Sequence, residues 1–284
     1  MTTRGGIVIT GASTGIGEAC ALALDHAGFQ VFAGVRTMQA GEALKAKGSE
    51  RLSHVLLDVT RPDQITRAAE HVARRLGERP LAGLMNNAGV TINGPLEALP
   101  IDDLRRQLEI NLIGQLAVTQ AFLPMLRASK GRIVNTGSVS GLLAMPVLGP
   151  YCISKFAMEA FSDSLRLELR QWGVDVILLE PGMIATPIWE KGIRDGEEAE
   201  EETTPEMLEL YGPLLESTRN LAVKAQREAK PVDLVSRATV HAFTAKRPKP
   251  RYVMGGNAWS QKVISRLPTR WRDAVLVRML GLPK

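Results

Sequence analysis

Cysteine is scarce in this chain. Cys20 and Cys152 are the whole complement, and neither stands in a Cys-x-x-Cys or Cys/His ligand spacing. That excludes a disulfide framework and a structural zinc site, predicts no metal, and points to a reducing, cytoplasmic compartment. No apolar run approaches the length of a membrane span, and the N-terminus enters a strand pattern almost at once, so neither a transmembrane segment nor a signal peptide is expected. Internal repeats and low-complexity linkers are missing too, which predicts one domain. Net charge is only +5 over 284 residues, but it is unevenly spread. Asp195 to Glu209 is acidic, and from Lys246 onward Asp273 is the lone acid. A basic tail suggests nucleic acid or anionic lipid. With no nucleic-acid motif and no interleaved aromatic platform, nucleic acid is not expected as a partner. The tail reads as a solvated face or a segment packed over the substrate site or a neighbouring subunit, with peripheral membrane contact as the alternative.

What is present is a regular alternation. Short apolar runs at Gly6–Thr10, Gln30–Val35, Ser53–Leu57, Leu81–Met85, Gly131–Thr136, Val174–Leu179 and Arg251–Met254 read as strands. Helical patterns intervene, among them Pro62–Leu76, a long region Ile101–Leu126 marked by Leu104, Leu108, Leu112 and Leu116, and Pro150–Trp172. Alternation at this spacing predicts an α/β fold, a doubly wound parallel sheet of about seven strands with helices on both faces. Residues 187–230 interrupt it as an insert with a helical segment at 204–221, and 257–284 form a basic, amphipathic appendage of the same domain, which otherwise spans 1–256.

Between the first strand and its helix stands Gly11-Ala12-Ser13-Thr14-Gly15-Ile16-Gly17. Glycines let the backbone turn and approach a ligand closely, and the helix N-terminus behind them offers free N–H groups to a pyrophosphate. Gly-x-x-x-Gly-x-Gly differs from Gly-x-Gly-x-x-Gly, but the mechanics are those of a dinucleotide site. The second strand ends in Gly34-Val35-Arg36, without the acid that would hold a ribose 2′-hydroxyl. A guanidinium suits a 2′-phosphate, and Thr37 could add a hydroxyl donor, so NADP(H) is preferred, with NAD(H) as the alternative. Tyr151 and Lys155 share one helix face, a turn apart. An ammonium beside a phenol favours the phenolate, and Ser138 upstream can donate to or accept from a substrate oxygen. The three could move a proton on and off an alcohol or carbonyl oxygen.

Taken together, Thr10-Gly11-Ala12-Ser13-Thr14-Gly15-Ile16-Gly17, Asp58-Val59, Asn86-Asn87-Ala88-Gly89, Asn111, Ser138, Tyr151-x-x-x-Lys155 and Pro181-Gly182-x-x-x-Thr186 resemble the short-chain dehydrogenase/reductase family in order and spacing. The resemblance is strong over about residues 5–190 and implies a single-domain Rossmann fold. It implies that Tyr151 is the general acid/base, that Lys155 lowers its pKa and holds the nicotinamide ribose, that Ser138 orients the substrate oxygen, and that Asn111 kinks its helix and extends a proton relay through a water. It further implies that Gly11, Ser13, Thr14, Gly15, Ile16 and Gly17 wrap the pyrophosphate. Asp58 and Val59 would border the adenine, and Asn86, Ala88 and Gly89 would line the adenosine side, while Asn87 braces the sheet. Pro181 and Gly182 would lead into Ile184 and Thr186 at the carboxamide. A homodimer or homotetramer is the family expectation. The overall pattern looks like the branch handling steroids, retinoids and related lipids. Ile188, Trp189, Met207, Leu208, Tyr211, Leu214 and Leu215 in the insert, with the greasy loop Gly141–Leu148, fit a lid over a lipophilic alcohol or carbonyl. The alternative is a nucleotide-binding redox sensor on the same fold, against which the full set of Ser138, Tyr151, Lys155 and Asn111 argues.

Overall fold

The apolar runs become β1 (Gly6–Ile9), β2 (Gln30–Val35), β3 (Leu52–Leu56), β4 (Leu81–Asn86), β5 (Arg132–Thr136), β6 (Asp175–Pro181) and β7 (Arg251–Met254). The computed structural model describes residues 4–188, positions 190, 192, 194 and 196, and residues 204–281. Among them the sheet has seven strands in the order β3-β2-β1-β4-β5-β6-β7. Every neighbouring pair is parallel. The strand pleat sends alternate side chains to opposite faces. Ile7 and Ile9 pack in one core with Cys20, Leu24 and Val235, and Val8 packs in the other with Val72, Phe122 and Leu165. Both faces are thus buried, which is why the strands read as continuous apolar runs.

The helices are α1 (Gly15–His26), α2 (Met38–Lys45), α3 (Pro62–Leu76), α4 (Ile101–Leu108), α5 (Gly114–Ser129), α6 (Gly149–Leu169), α7 (Pro205–Arg227), α8 (Asp233–Thr244), α9 (Ala258–Ile264) and α10 (Thr269–Met279). A π-helical turn, Glu109–Ile113, joins α4 to α5. The leucines that reveal this long helix do not mark its enclosed side. Leu116 is 40% exposed, whereas Gln107, Asn111, Gln115 and Thr119 are buried. The helix of the insert runs six residues beyond its predicted end at 221, to Arg227.

Chain order reverses between β1 and β4, because β2 and β3 lie to one side of β1 and β4 to β7 to the other. The crevice beyond the carboxyl ends of β1 and β4 is where an open α/β sheet binds its ligand. The tail is less detached than an appendage. Ala258, Leu276 and Leu280 are buried, and Ser217 of α7 donates a hydrogen bond to the Leu280 carbonyl. The basic segment therefore docks against the insert helix and leaves Trp259 and Trp271 exposed.

Candidate active site

The glycine loop closes β1 and opens α1 at the crevice. Gly11 and Gly15 have φ of 63° and 60°, a region that L side chains rarely adopt. A Cβ on Gly17 would lie 2.2 Å from the Gly11 carbonyl oxygen and 2.5 Å from Asn87 Nδ2, and one on Gly11 2.7 Å from Ala88 Cα. The loop is folded so tightly on itself and on the end of β4 that only hydrogen fits. Thr14 starts α1 in extended backbone without a side-chain hydrogen bond to the first turn, so that turn's N–H groups face the crevice without a cap. Ile16 packs against the core behind the loop. Gly15 faces Thr186, 3.5 Å from its Cβ for an added methyl, so the motifs predicted to hold the pyrophosphate and the carboxamide meet across the cleft. A glycine cradle at an uncapped helix start fits a pyrophosphate.

At the carboxyl end of β2, Arg36 is exposed and makes no ion pair among the described residues. Thr37 accepts a hydrogen bond from the Ala40 amide at 3.3 Å and so caps α2. Asp58 accepts from the Thr60 amide and hydroxyl at 3.0 and 2.8 Å, which fixes the turn after β3. Val59 is buried and packs on Gly114.

Asn86 ends β4 with its side chain turned inward. Its carboxamide is enclosed and donates to Thr119 Oγ1 and Asn135 Oδ1, each at 2.9 Å. The side chain braces the sheet and leaves only backbone for a ligand. Asn87, expected to brace the sheet, ties the end of β1 and the loop together by donating to the carbonyls of Thr10 and Gly11 at 3.1 and 3.0 Å. Thr10 Oγ1 accepts from the amides of Asn87 and Ala88 at 2.9 Å each. The path continues from Asn87 Oδ1, which accepts from Thr136 Oγ1 at 3.4 Å, to the Thr136 carbonyl, which accepts from Lys155 Nζ at 2.8 Å. Glycine loop and lysine are thereby one hydrogen-bonded unit.

The segment from Ala88 to Ile92 is held from the long helix. Asn111 Oδ1 accepts from the Val90 amide at 2.9 Å, and its Nδ2 donates to the Val90 carbonyl and to Ser154 Oγ, each at 3.0 Å. Gln107 brackets Val90 and Ile92, and Gln115 reaches the Ala88 carbonyl. The π turn inserts one residue into the helix at Asn111, as such bulges do at functional sites. Sequence reasoning singled out Asn111 and missed Gln107, Gln115 and Thr119. The signal was there, since 107, 111, 115 and 119 are four apart and form a polar stripe on a helix whose other inward positions are apolar.

Tyr151 lies in the first turn of α6, and Lys155 follows one turn later with Nζ 5.5 Å from the phenol ring centre. Ser138, two residues past β5, accepts from the Ser140 amide at 3.1 Å. Ser154 joins them by accepting from Asn111 and donating to the Tyr151 carbonyl at 2.8 Å. The electrostatics differ from expectation. Burial pushes the phenol up to about 12, with the neighbouring Ser138 acting downward. Burial also pushes the Lys155 ammonium down to about 8, with Glu159 acting upward. The phenol is therefore not lowered in the chain alone. The ammonium is itself desolvated, stands 5.5 Å from the ring centre and is directed at the Thr136 carbonyl.

Pro181 ends β6, and the Gly182 amide donates to the Met254 carbonyl at 2.7 Å. Ile184 is buried in the core, so it turns backbone rather than side chain to the cleft, and Thr186 beside it is partly exposed. Tyr211 of α7 donates to Glu97 at 2.5 Å, joining the insert to the loop after β4. Met207, Leu214 and Leu215 are half-buried, and Ile188 and Leu208 are 40% and 37% exposed. Trp189 lies outside the described residues. In the greasy loop, Val147 has φ 64°, a strained setting for a β-branched residue, and its carbonyl accepts from the Gly94 amide at 2.8 Å.

The chain matches the family model described as short chain dehydrogenase over residues 6–197. Mouse retinol dehydrogenase 5 is 39% identical over 98% of this chain and 89% of its own length. Mouse retinol dehydrogenase 16 is 38% identical over 95% of this chain and 87% of its own. A solved short-chain dehydrogenase from Streptomyces avermitilis superposes with a TM-score of 0.76 at 27% identity, covering 99% of this chain and 96% of that one.

Proposed function

From the premise that this chain belongs to the short-chain dehydrogenase family and is an NAD(P)-dependent dehydrogenase acting on CH–OH groups, we propose that it interconverts a lipophilic alcohol and its carbonyl with NADP(H), Tyr151 acting as general acid/base. The observation that carries this is the hydrogen-bonded continuity from the glycine loop through Asn87 and Thr136 to Lys155, which stands beside the Tyr151 ring. The nicotinamide, when bound, supplies or accepts the hydride at the carbinol carbon. The chain's own residues do the rest. Ser138 Oγ orients the substrate oxygen, and Tyr151 Oη gives it a proton in reduction and takes one in oxidation. A charged Lys155 near the phenol makes the phenolate accessible. Asn111 and Ser154 fix the start of α6, and with it the phenol, against the segment at Val90.

The exposed Arg36 supports NADP(H). An unpaired guanidinium at this strand end attracts a 2′-phosphate and offers it a bidentate partner. The half-buried apolar side chains of α7 and the greasy loop support a lipophilic substrate, as does the kinship to retinol dehydrogenases. Exposed Ile113, Leu116, Ile153 and Phe156 on the helices over one sheet face support a homo-oligomer. The test is cofactor consumption against ketones and aldehydes graded in size and polarity, for the wild type and Arg36→Ala. We expect hydrophobic carbonyls and NADPH to be preferred, and Arg36→Ala to lose about tenfold or more of that cofactor preference, the worth of a charge-assisted hydrogen bond. Equal or better efficiency with NADH in the wild type overturns the cofactor assignment. A preference for small polar sugars overturns the substrate class.

A further inference from the structure

Behind Lys155 lies a cluster of charge that the acid/base scheme leaves unused. Arg251, on β7, offers one guanidinium to three carboxylates. Nη1 donates to Glu159 and, at 2.6 Å, to Glu180 Oε1, and Nη2 donates to Asp163 Oδ2 at 2.8 Å. Glu180 precedes Pro181 at the end of β6 and is fully enclosed. Lys262 of α9 stands 3.9 Å from its other oxygen. Glu180 Oε2 and Glu159 Oε1 are enclosed without a hydrogen-bond partner. Desolvating carboxylates is expensive, and apolar packing of similar volume commonly does as well or better for stability. Joining β7 to α6 therefore does not by itself account for this cluster.

The cluster lies one helical turn from the lysine. Glu159 follows Lys155 by one turn on the same face of α6. Both abut Gly141, where an added Cβ would lie 2.7 Å from the Lys155 carbonyl oxygen and 3.1 Å from Glu159 Cγ. Lys155 Nζ donates to the uncharged Thr136 carbonyl.

We propose that Glu159 is a positioning residue for Lys155: its carboxylate keeps the buried ammonium charged, and Arg251 keeps that carboxylate ionised. The proposal rests on the reading of Tyr151 and Lys155 as the acid/base pair. The facing groups are Tyr151, Cys152, Asp163 and Arg166 on α6, Glu180 on β6, Arg251 on β7 and Lys262 on α9. Of these and Glu159, it is Glu159 whose charge raises Lys155 against its burial. Burial pushes Glu159 up to about 7, opposed first by the Arg251 hydrogen bond. Without Arg251, three neighbouring carboxylates would share the site, Glu159 would take up a proton, and its field on Lys155 would vanish. Glu159→Gln and Arg251→Met must then act through one pathway.

The test uses the full chain with Glu159→Gln, Arg251→Met and the double variant. One readout is the NMR titration of Lys155 Cε in 13C-lysine-labelled protein without cofactor, assigned with Lys155→Met. The other is the pH profile of kcat with NADPH and the best carbonyl of the panel. In Glu159→Gln the Lys155 midpoint falls by about one pH unit, the scale of a nearby opposite charge, and the alkaline limb of kcat moves down with it. Arg251→Met does the same, and the double variant adds nothing. A Glu159→Gln protein with an unmoved Lys155 midpoint and an unmoved profile overturns the proposal, whatever happens to its melting temperature. Should Arg251→Met not fold, the isosteric Glu159→Gln decides alone. Retained turnover in Tyr151→Phe would overturn the acid/base reading instead, and the NMR titration would still decide whether Glu159 and Lys155 are coupled.

Discussion

Asn111→Ala separates holding the fold from holding the site. Three hydrogen bonds disappear, two at Val90 and one at Ser154. They are not equal losses. The Val90 carbonyl keeps Gln107 Nε2 at 2.7 Å, and Ser154 keeps the Tyr151 carbonyl as its acceptor. Only the Val90 amide is orphaned, and Val90 is half-buried. One such group costs about 1–3 kcal/mol, which in a chain of this size lowers Tm by about 2–5 °C. The catalytic cost is larger, because Val90 sits at the crevice and Ser154 ties down the turn that carries Tyr151. We expect kcat to fall about 100-fold, the usual worth of a positioned acid/base contribution. Calorimetry and steady-state kinetics on the same preparation are the assay, with Asn111→Asp as a comparator that keeps the acceptor and loses the donor. Turnover within threefold of wild type, in a protein that has lost stability, would refute the positional reasoning.

Gly17→Ala forces a methyl into the Gly11 carbonyl and Asn87, so the loop must open; NADPH affinity, read by fluorescence quenching, should drop at least tenfold, and an unchanged Kd would contradict the cradle. Lys155 also leaves a mark on stability. Its folded pKa of about 8 lies below its ordinary 10.5, so between those values the unfolded chain binds more protons and stability rises with pH. Lys155→Met should flatten that rise in denaturation curves taken from pH 8 to 10.5, and a slope unchanged from wild type would contradict a desolvated ammonium.

The sheet was legible because a parallel sheet covered on both faces writes itself as unbroken apolar runs between glycine-ended helices. The Tyr151–Lys155 pair and the glycine loop were legible because their spacing is fixed by one helix turn and one tight strand-to-helix turn. The inward role of Asn86 was not, since two adjacent asparagines at a strand end differ only in which way the pleat turns them. Gln107 and Gln115 were legible only as part of a polar stripe with members four residues apart, and the half-buried Arg251 escaped because its contacts, as with Glu159, are distant in sequence. The direction of the phenol's shift was likewise hidden. A lysine one turn away lowers a phenol's pKa only when its charge is nearer the hydroxyl than desolvation is strong, and sequence carries neither quantity.

The central claim is that Tyr151 moves the proton. Tyr151→Phe removes one hydroxyl and leaves the ring against Lys155, so NADPH should still bind within a few-fold of wild type while kcat falls to background, a loss of about a thousandfold or more. Single-turnover kinetics with the best carbonyl of the panel, beside a binding isotherm for NADPH, measure both on one sample. Binding kept and turnover lost is the predicted result; turnover kept would contradict the account.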